Sequence, residues 1–466
     1  MKAKFKLREK MRNLLSCYDD EIDRLLTAII PPNSRVLELG CGTGRVLGKL
    51  RPSFGLGVDI DAEKIQIANQ LHGQKSGLRF LCLDVETGAR PDVEKYDYVI
   101  LSDVLPLLND VQHVLTMLHS ACTPSTRIIM NFPSNLWRPV LRAATVLGLR
   151  NPDKKFNWLS LSDVQNLLKL SDFDEITHGC RILLPVRAPG LNWFFNRFLA
   201  KLPGLTNMGL TVYVVARPNS ARPVREVSVS VMIPTRNEKG NIEGIFTRTP
   251  RMGLWTELIF VDGKSSDGTK EEIERCIRVY GYQWHRVLFL SQDGRGKGQA
   301  VHQGFAEAKG DVLMILDSDL TMPPEELPKY YNAIVTGHGE FINGSRMVYQ
   351  MDDKAMRFLN MIANHVFAKL FSWLLGQTIK DTLCGTKVFW KRDYFNIMAN
   401  RSYFGNFDPF GDFDLLFGAA RLNRKIIDMP IRYRDRAYGD IKIQRWRHGL
   451  LLLRMSMIGY MRFKLN

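Results

Sequence analysis

Short apolar runs alternate with helical segments through the first part of the chain. The runs Ser34–Gly40, Gly55–Asp61, Leu78–Val85 and Tyr96–Asp103 have the length and composition of β-strands, and helical stretches separate them. This alternation is typical of a doubly wound parallel sheet. Residues 34–135 are therefore predicted to form one.

A second set of apolar runs begins at residue 227. Val227–Thr235 and Glu257–Asp262 are predicted strands that end in polar loops, and Asp311–Asp319 contains a predicted buried parallel strand. Asp317 and Asp319 stand at the end of this last strand. Ligands of open α/β sheets lie at the carboxyl ends of the strands, so these ends form the candidate site.

Two domains are the simplest division of this pattern. The predicted fold class is α/β, with two doubly wound domains over residues 1–217 and 227–466. The stretch 218–226 is predicted to be a linker, because it contains Pro218 and Pro223 and lacks apolar periodicity. Seven scattered cysteines without a CxxC pair predict no disulfide framework and favour a reducing cytoplasm.

The net charge of +16 calls for an acidic partner. No long basic run interleaved with aromatic residues occurs before residue 430, so nucleic acid is not predicted as a partner. The basic excess is densest near the C-terminal end, where it suits anionic lipid headgroups or a lipid phosphate; a solvated basic tail is the alternative. The basic residues there are Arg432, Arg434, Arg436, Lys442, Arg445, Arg447, Arg454, Arg462 and Lys464.

A glycine-rich loop follows the first predicted strand. Its residues are Gly40, Gly42 and Gly44, preceded by the acidic Glu38. The spacing GxGxG differs from the GxGxxG of dinucleotide-binding folds, although glycines serve here too by letting the backbone approach a ligand. The loop therefore predicts a ligand that need not carry a diphosphate.

Two acidic residues end the next predicted strands. Asp59 is placed to accept hydrogen bonds from ribose hydroxyls, and Asp84 is placed to bond an adenine amine. With these residues the chain resembles the class I S-adenosylmethionine-dependent methyltransferases over residues 20–217, and Cys180–Leu184 with Leu210–Ala216 would form that family's terminal hairpin. The resemblance implies a Rossmann-like fold and S-adenosylmethionine bound by Glu38, Gly40, Gly42, Gly44, Asp59 and Asp84.

The methyl acceptor is narrowed by a missing motif. The tetrapeptide with paired prolines that similar nucleic-acid amino methyltransferases carry is replaced by the sequence from Ser102 to Pro106. A small-molecule, sugar or lipid-linked acceptor is therefore predicted. Asp103 and His113 lie near this edge, and neither is assigned as a catalytic base.

Hard-cation chemistry is the expectation for the second half. Residues i and i+2 on extended backbone point to the same side, so Asp317 and Asp319 can present oxygens to one Mg or Mn ion that holds a diphosphate. A small basic loop, Arg295–Gly298, opens the next predicted helix. It offers backbone amides and the Lys297 ammonium group to phosphate. A nucleotide-sugar donor is the predicted ligand.

The motifs of this half resemble glycosyltransferase family 2, and within it the dolichyl- or polyprenyl-phosphate sugar transferases. The resemblance rests on IPTRNE, VDGKSSDGT, GRGKGQA, DSD, NGSR, DTLCGTKVF, GDFDLL and RDRAYGDIK, in that order. It implies a GT-A-like fold. By this likeness the nucleotide would contact Pro234, Glu238, Asp262 and Lys297. The metal diphosphate would contact Asp317 and Asp319, and phosphate groups of donor or acceptor would contact Arg346, Arg436 and Lys442.

Two acceptors remain open. A hydroxyl acceptor needs a base, for which the resemblance implies Asp414, with Asp412 second. A phosphate acceptor has a second pKa near 6 and needs cations instead, which Arg434, Arg436 and Lys442 provide. A polyprenyl phosphate is therefore favoured over a sugar or protein hydroxyl. The residue after Asp262 is Gly263, where the family usually has a second acid, so the nucleotide base stays open.

The predicted protein is a bifunctional transferase of a cell-envelope glycan or lipid-linked sugar pathway, with inverting sugar transfer. No run of about 18 uncharged apolar residues occurs, so no membrane span is predicted, and the basic Met1–Arg12 does not begin a signal peptide. Phe358–Leu375 and Gly449–Tyr460 are predicted to touch a membrane surface, with core packing as the alternative. The protein is thus expected in the cytoplasm or peripherally at the membrane. A second alternative makes one domain a binding module without turnover.

Overall fold

The computed structural model of the chain describes the backbone in thirteen stretches. They are residues 18–87, 94–146, 156–185, 190–202, 205, 208–219, 226–294, 296–346, 358–400, 412–434, 436, 438 and 445–464, without the side chains of 144, 201, 358–363, 412 and 445–451. By its contacts the chain divides into two units, Met1–Ser220 with Lys464–Asn466, and Ala221–Phe463. The predicted linker 218–226 lies largely outside the described residues.

The N-terminal unit is built on a seven-stranded sheet. Its strand order is β3-β2-β1-β4-β5-β7-β6, with β7 antiparallel to both of its neighbours and the other pairs parallel. The strands are β1 Arg35–Leu39, β2 Phe54–Asp59, β3 Leu78–Cys82, β4 Tyr96–Ser102, β5 Cys122–Pro133, β6 Phe173–Arg181 and β7 Thr211–Pro218. The doubly wound sheet and its closing hairpin are confirmed.

The prediction for the first strand of that hairpin was wrong in its bounds. It begins at Phe173, seven residues before the predicted Cys180. A register shift between Glu175 and Thr177 interrupts the pairing with β7, so the buried positions do not alternate strictly. Strand prediction from a period of two misses such a bulged segment.

Both faces of the first sheet are covered. Leu37 and Leu39 of β1 belong to one buried cluster, and Val36, which precedes them, belongs to a second. Burial on both faces explains why these strands are almost continuously apolar. The helices of this unit, beside the described part of a first helix over 18–29, are Arg45–Lys49, Ala62–His72, Val111–Leu118, Arg138–Val146 and Leu161–Leu170, with a π-helical segment Trp193–Phe198.

The C-terminal unit carries a second seven-stranded sheet of order β10-β9-β8-β11-β13-β12-β14. Strands β8 to β11 are parallel, and β13 runs antiparallel between β11 and β12. The strands are β8 Val229–Thr235, β9 Thr256–Asp262, β10 Arg286–Ser291, β11 Val312–Ile315, β12 Phe341–Ser345, β13 Lys387–Trp390 and β14 Ile426–Pro430. The buried strand β11 is thus parallel to β8, as predicted, and antiparallel to β13.

Helices cover both faces of this sheet as well. They are Lys239–Arg248, Thr269–Tyr280, Lys297–Ala306, Leu327–Val335, Phe358–Leu375, Lys391–Ala399, Asp412–Arg421 and Arg445–Gly459.

The two apolar helices pack into the core with part of their surface. Phe367 and Phe371 of the first are buried, as are Leu452 and Met455 of the second, and the two helices pack against each other. Leu453 of the second helix is 56% exposed. Core packing therefore accounts for one face of each helix. Within the described part of the chain, no helix is long and apolar enough to cross a membrane.

Candidate active sites

The glycine loop at the end of β1 has the backbone that its glycines permit. Gly40, Gly42 and Gly44 have φ of +71°, +53° and +74°, in the left-handed region that L-residues rarely adopt. A Cβ at Gly40 would lie 1.9 Å from the Val104 side chain, and one at Gly44 would lie 2.7 Å from the Phe80 ring. In the described part of the chain, a Cβ at Gly42 would meet nothing within 4 Å. The loop is therefore packed at its two outer glycines and open at the middle one.

Asp59 ties this loop to the end of β2. The Gly42 amide donates to its Oδ2 at 2.8 Å and the Asp61 amide to its Oδ1 at 2.9 Å. A carboxylate has about four acceptor positions, so these two bonds leave capacity for ligand hydroxyls. Asp84 lies two residues beyond β3, where its Oδ1 accepts the Glu86 amide at 2.9 Å.

Glu38 is a buried acid beneath the glycine loop. Glu38 is 2% exposed, and its Oε2 has no hydrogen-bond partner among the residues that the structure describes. Burial raises the pKa of the Glu38 carboxyl to about 8, although a hydrogen bond with the Leu47 backbone acts in the opposite direction. An unpartnered buried carboxyl oxygen is costly and indicates a position for a ligand that carries donors or positive charge.

Asp103 forms a polar network that the sequence did not reveal. It follows β4 with φ +56°, and its carboxylate accepts hydrogen bonds from Tyr18 Oη at 2.8 Å and Asn131 Nδ2 at 3.0 Å. Tyr18 Oη also lies 3.2 Å from Thr211 Oγ1. Burial raises the pKa of Asp103 to about 6, despite the Tyr18 and Asn131 hydrogen bonds. A non-glycine residue held in this conformation beside a ligand loop is a candidate functional residue, whereas His113 is exposed on its helix.

The signal for this network was available only in part. Asp103 lies at a strand end, where polar residues are expected to serve ligands. Its partner Tyr18 is 85 positions away, and no local pattern joins the two residues. Only the folded chain shows that the first helix brings a phenol to the end of β4.

In the C-terminal unit the loops after β8 and β9 interlock. Asp262 at the end of β9 is buried and accepts hydrogen bonds from the Ser265 amide and hydroxyl. Glu238, after β8, is 3% exposed; its backbone amide donates to Thr269 Oγ1 at 2.9 Å. Pro234 lies within β8, and its carbonyl accepts the Ser318 hydroxyl at 2.8 Å. The structure thus brings the predicted nucleotide-binding residues to the carboxyl edge of the parallel strands.

Arg436 joins two of the predicted acids. Its Nη1 donates to Glu238 Oε1 at 3.0 Å and its Nη2 to Asp319 Oδ2 at 2.6 Å. The Thr321 hydroxyl donates to the other oxygen of Asp319 at 2.8 Å. A guanidinium that bridges residues 198 and 117 positions away shows that three distant motifs meet at one point.

Asp317 is paired with Lys297 at 2.8 Å between Oδ1 and Nζ. Burial alone would raise the pKa of Asp317, but the Lys297 ammonium, together with the charges of Lys387 and Arg346, holds this pKa below its ordinary value. Gly385 approaches this pair so closely that a Cβ there would lie 2.0 Å from Asp317 Oδ2. Asp317 therefore stays ionised in a confined space beside a cation.

Arg346 holds a buried ion pair. Its Nε and Nη2 donate to the two carboxylate oxygens of Asp381 at 2.7 and 2.8 Å, and Asp381 is 0% exposed. Burial would raise the pKa of Asp381, and the guanidinium brings it far below its ordinary value. The Arg346 guanidinium also lies 5.3 Å from the centre of the Tyr433 ring. A phosphate contact by Arg346 stays a prediction.

The predicted bases differ in how much can be described. Asp414 is 4% exposed on the helix Asp412–Arg421, with its Oδ2 4.0 Å from His302 Nε2. The side chain of Asp412 and all of Lys442 lie outside the described residues.

Two carboxylates are the metal ligands that this site offers. Within the described stretches, no group of three or more His, Cys, Asp or Glu side chains has the arrangement of a metal site. Asp317 and Asp319 nevertheless present hard oxygens, the ligands that Mg and Mn prefer, and a diphosphate and water can complete such a shell. The donor set therefore fits a divalent cation whose other ligands would come from a diphosphate and water.

Comparison with known families agrees with this division. The model of glycosyl transferase family 2 matches residues 230–405, and that of a methyltransferase domain matches residues 7–178. The chain thus carries a methyltransferase domain followed by a glycosyl transferase family 2 domain, and both resemblances seen in the sequence are confirmed. The first has the Rossmann-like and the second the GT-A arrangement of an α/β sheet.

Individual relatives match part of the chain. The dolichol-phosphate mannosyltransferase of Saccharomyces cerevisiae is 39% identical over 113 residues, which are 23% of this chain and 41% of that protein. The undecaprenyl-phosphate 4-deoxy-4-formamido-L-arabinose transferase of Klebsiella pneumoniae is 25% identical over 224 residues, 47% of this chain and 63% of that protein. A solved S-adenosylmethionine-dependent methyltransferase of Mesorhizobium loti has 18% identity and a TM-score of 0.32, covering 42% of this chain and 96% of that one. The chain therefore spans less than two thirds of the length of both curated relatives.

Proposed function

We propose that the C-terminal unit transfers a sugar from a nucleotide-sugar donor to a polyprenyl phosphate, with inversion at the anomeric carbon. The observation that carries this proposal is the bridge from Arg436 to Glu238 and Asp319, beside the pair Lys297–Asp317. It places cations and carboxylates together at the edge where ligands of parallel sheets bind. The names of the two curated relatives, both polyprenyl-type phosphate sugar transferases, support the same class of acceptor.

The donor would lie across the ends of β8, β9 and β11. Asp262 and Glu238 face the nucleoside, Pro234 shapes the strand end beneath it, and Lys297 meets a phosphate. Asp317 and Asp319 would hold a Mg or Mn ion, which supplies charge neutralisation for the leaving nucleoside diphosphate. Arg346 anchors the neighbouring loop through its buried pair with Asp381 and can add positive potential there.

The acceptor needs cations more than a base. A phosphate monoester has a second pKa near 6 and is largely a dianion at neutral pH, so its oxygen attacks without losing a proton. Arg434, Arg436 and Lys442 supply the positive charge that would hold it. Asp414 is only 4% exposed on its helix. This burial favours a structural role for Asp414 over proton abstraction from a hydroxyl acceptor.

We infer that the N-terminal unit transfers a methyl group from S-adenosylmethionine. The open position at Gly42, the acceptor capacity of Asp59 and the unpartnered oxygen of Glu38 fit a ligand with an amino-acid part and a ribose. Asp84 is placed for the base. Methyl transfer depends chiefly on positioning, and Asp103 with its partly buried carboxylate is placed to orient or deprotonate the acceptor.

The two activities together point to one pathway of lipid-linked glycan synthesis at the cytoplasmic face of a membrane. A sugar on a polyprenyl carrier, or the glycan built from it, would then be the methyl acceptor. The exposed Leu453 and the basic C-terminal residues would hold the chain peripherally at that membrane.

The test is a donor panel of UDP- and GDP-sugars with Mn, with and without a short polyprenyl phosphate. We expect release of nucleoside diphosphate only when the lipid is present, with the sugar recovered on the lipid as a product of inverted configuration. Asp414→Asn should then reduce turnover only mildly. Near-complete loss in this variant, together with turnover on sugar hydroxyls, would support the hydroxyl acceptor instead.

A further inference from the structure

Two segments of the methyltransferase unit expose large apolar side chains beside the end of β5. Leu136 and Val140, which follow β5, are 58% and 55% exposed. Trp193, Phe194 and Met208, between β6 and β7, are 60%, 44% and 47% exposed. These five side chains are named the apolar face. Exposed aromatic and aliphatic side chains in one region mark an interaction surface rather than ordinary protein surface.

The end of the second segment lies beside the first. Trp137 Nε1 donates a hydrogen bond to the Met208 carbonyl at 2.9 Å, and the Ser134 amide donates to the Leu210 carbonyl at 2.8 Å. Phe194 is held against Phe198 by ring stacking, with centroids 5.9 Å apart. The stretch around Met208 therefore lies against the stretch that follows β5, and Phe194 packs within its own helical segment.

The two segments that carry the apolar face contain basic residues and no acidic ones. Forty-eight of the 466 residues are Asp or Glu, yet none occurs in residues 134–150 or in residues 182–210. Each of these two segments carries three Arg or Lys residues. Arg138 and Arg142 are exposed on the same helix as Val140. Two acid-free segments that carry Trp, Phe, Leu and Arg have the chemistry of side chains that enter the headgroup layer of an anionic bilayer.

We propose that the methyltransferase unit docks on an anionic lipid bilayer through the apolar face. Trp193, Phe194 and Leu136 would enter the boundary between headgroups and acyl chains, while Arg138 and Arg142 contact lipid phosphates. All five side chains of the apolar face belong to the methyltransferase unit. The apolar face gives this unit a membrane contact of its own.

The docking surface borders the proposed acceptor end of the methyl-transfer site. Thr211, the first residue of β7, lies 3.2 Å from Tyr18 Oη, which bonds Asp103. Met208 precedes Thr211 by three residues. Resting on the proposed methyl transfer, the structure thus assigns a lipid-linked molecule as the acceptor, because such a molecule reaches Asp103 from the bilayer side.

The test compares the full chain with a Leu136→Glu/Trp193→Glu variant on vesicles of neutral lipid, with and without added phosphatidylglycerol. Hydrogen exchange is measured over residues 134–146 and 190–202 with and without vesicles. We expect anionic vesicles to slow exchange in both segments of the wild-type chain. The variant should lose this protection at the vesicle concentration that protects the wild type. The vesicle concentration that gives half protection should rise at least about tenfold, because two side chains that enter the bilayer become charged.

Leu170→Glu is the matched control. Leu170 is 57% exposed in the same unit, outside the apolar face, so its variant should keep wild-type protection. Unchanged exchange in the two segments at saturating anionic vesicles would overturn the proposal, as would equal loss in the control variant. Calorimetry of S-adenosylmethionine binding separates the two hypotheses: the docking variant should bind the cofactor as the wild type does, and failure of all forms to bind it would refute the methyl-transfer function while leaving the docking result intact.

Discussion

Replacing Glu38 by Gln should change how the stability of the methyltransferase unit depends on pH. An ordinary Glu carboxyl has a pKa of about 4.3, and burial raises the pKa of Glu38 to about 8. One pKa unit corresponds to ~1.4 kcal/mol, so ionising Glu38 in the folded protein costs about 5 kcal/mol. Gln keeps the shape of the side chain and removes the titration.

The sign follows from proton binding. Between the two pKa values the folded protein binds the Glu38 proton and the unfolded chain does not, so unfolding releases a proton and stability falls as pH rises. The contribution is fully present below about pH 4 and is lost once pH passes about 8. Relative to wild type, Glu38→Gln should therefore gain about 5 kcal/mol of unfolding free energy between these limits.

Urea unfolding of the full chain at about pH 5 and about pH 8.5 should recover about 4 kcal/mol of this difference, because the part below pH 5 is not sampled. The transition that belongs to the methyltransferase unit is identified by its shift when S-adenosylmethionine is added. The cationic cofactor should also flatten the wild-type pH dependence, because positive charge near Glu38 favours the carboxylate. A free-energy difference between variant and wild type that stays constant across the two pH values would refute the reasoning.

Four further substitutions test the two sites. Gly42→Ala should leave the fold intact at a cost of about 1–2 kcal/mol for its left-handed backbone, and calorimetry should show S-adenosylmethionine affinity lowered at least tenfold. Gly40→Ala should instead destabilise the unit, because its Cβ clashes with Val104. Equal cofactor affinity of Gly42→Ala and wild type would contradict the hypothesis that the ligand lies against Gly42. Asp319→Ala should abolish sugar transfer and leave S-adenosylmethionine binding unchanged, and loss of both would contradict two independent sites. Asp103→Asn should slow methyl transfer by about 10²–10⁴-fold and remove an increase in rate near pH 6; a pH–rate profile that keeps that limb would show that another group titrates.

Much of the first site could be predicted because its residues belong to short local patterns. The spacing of Gly40, Gly42 and Gly44 predicts a loop, and Asp59 lies at the end of an apolar run. Parallel strands bring such ends to one edge of the sheet, so local motifs suffice to place them. The network around Asp103 could not be predicted in this way, since its partners come from the first helix, β5 and β7.

The second site shows the same limit. Asp317 and Asp319 were recognisable as a pair at a strand end, and their pairing with different cations was not. Arg346 lies in a motif that predicted a phosphate contact. The sequence alone does not reveal that its guanidinium forms a buried ion pair with Asp381. Ion-pair partners are chosen by the packing of distant elements, and periodicity carries no information about them.

Calorimetry on the intact chain tests the central claim, that one polypeptide carries two separate transferase sites. S-adenosylmethionine is titrated in the absence and presence of saturating nucleoside diphosphate with Mn, and the nucleotide is titrated in the reverse order. We expect one site for each ligand and the same affinity in either order. Binding of only one ligand, or loss of one when the other is saturating, would contradict this claim.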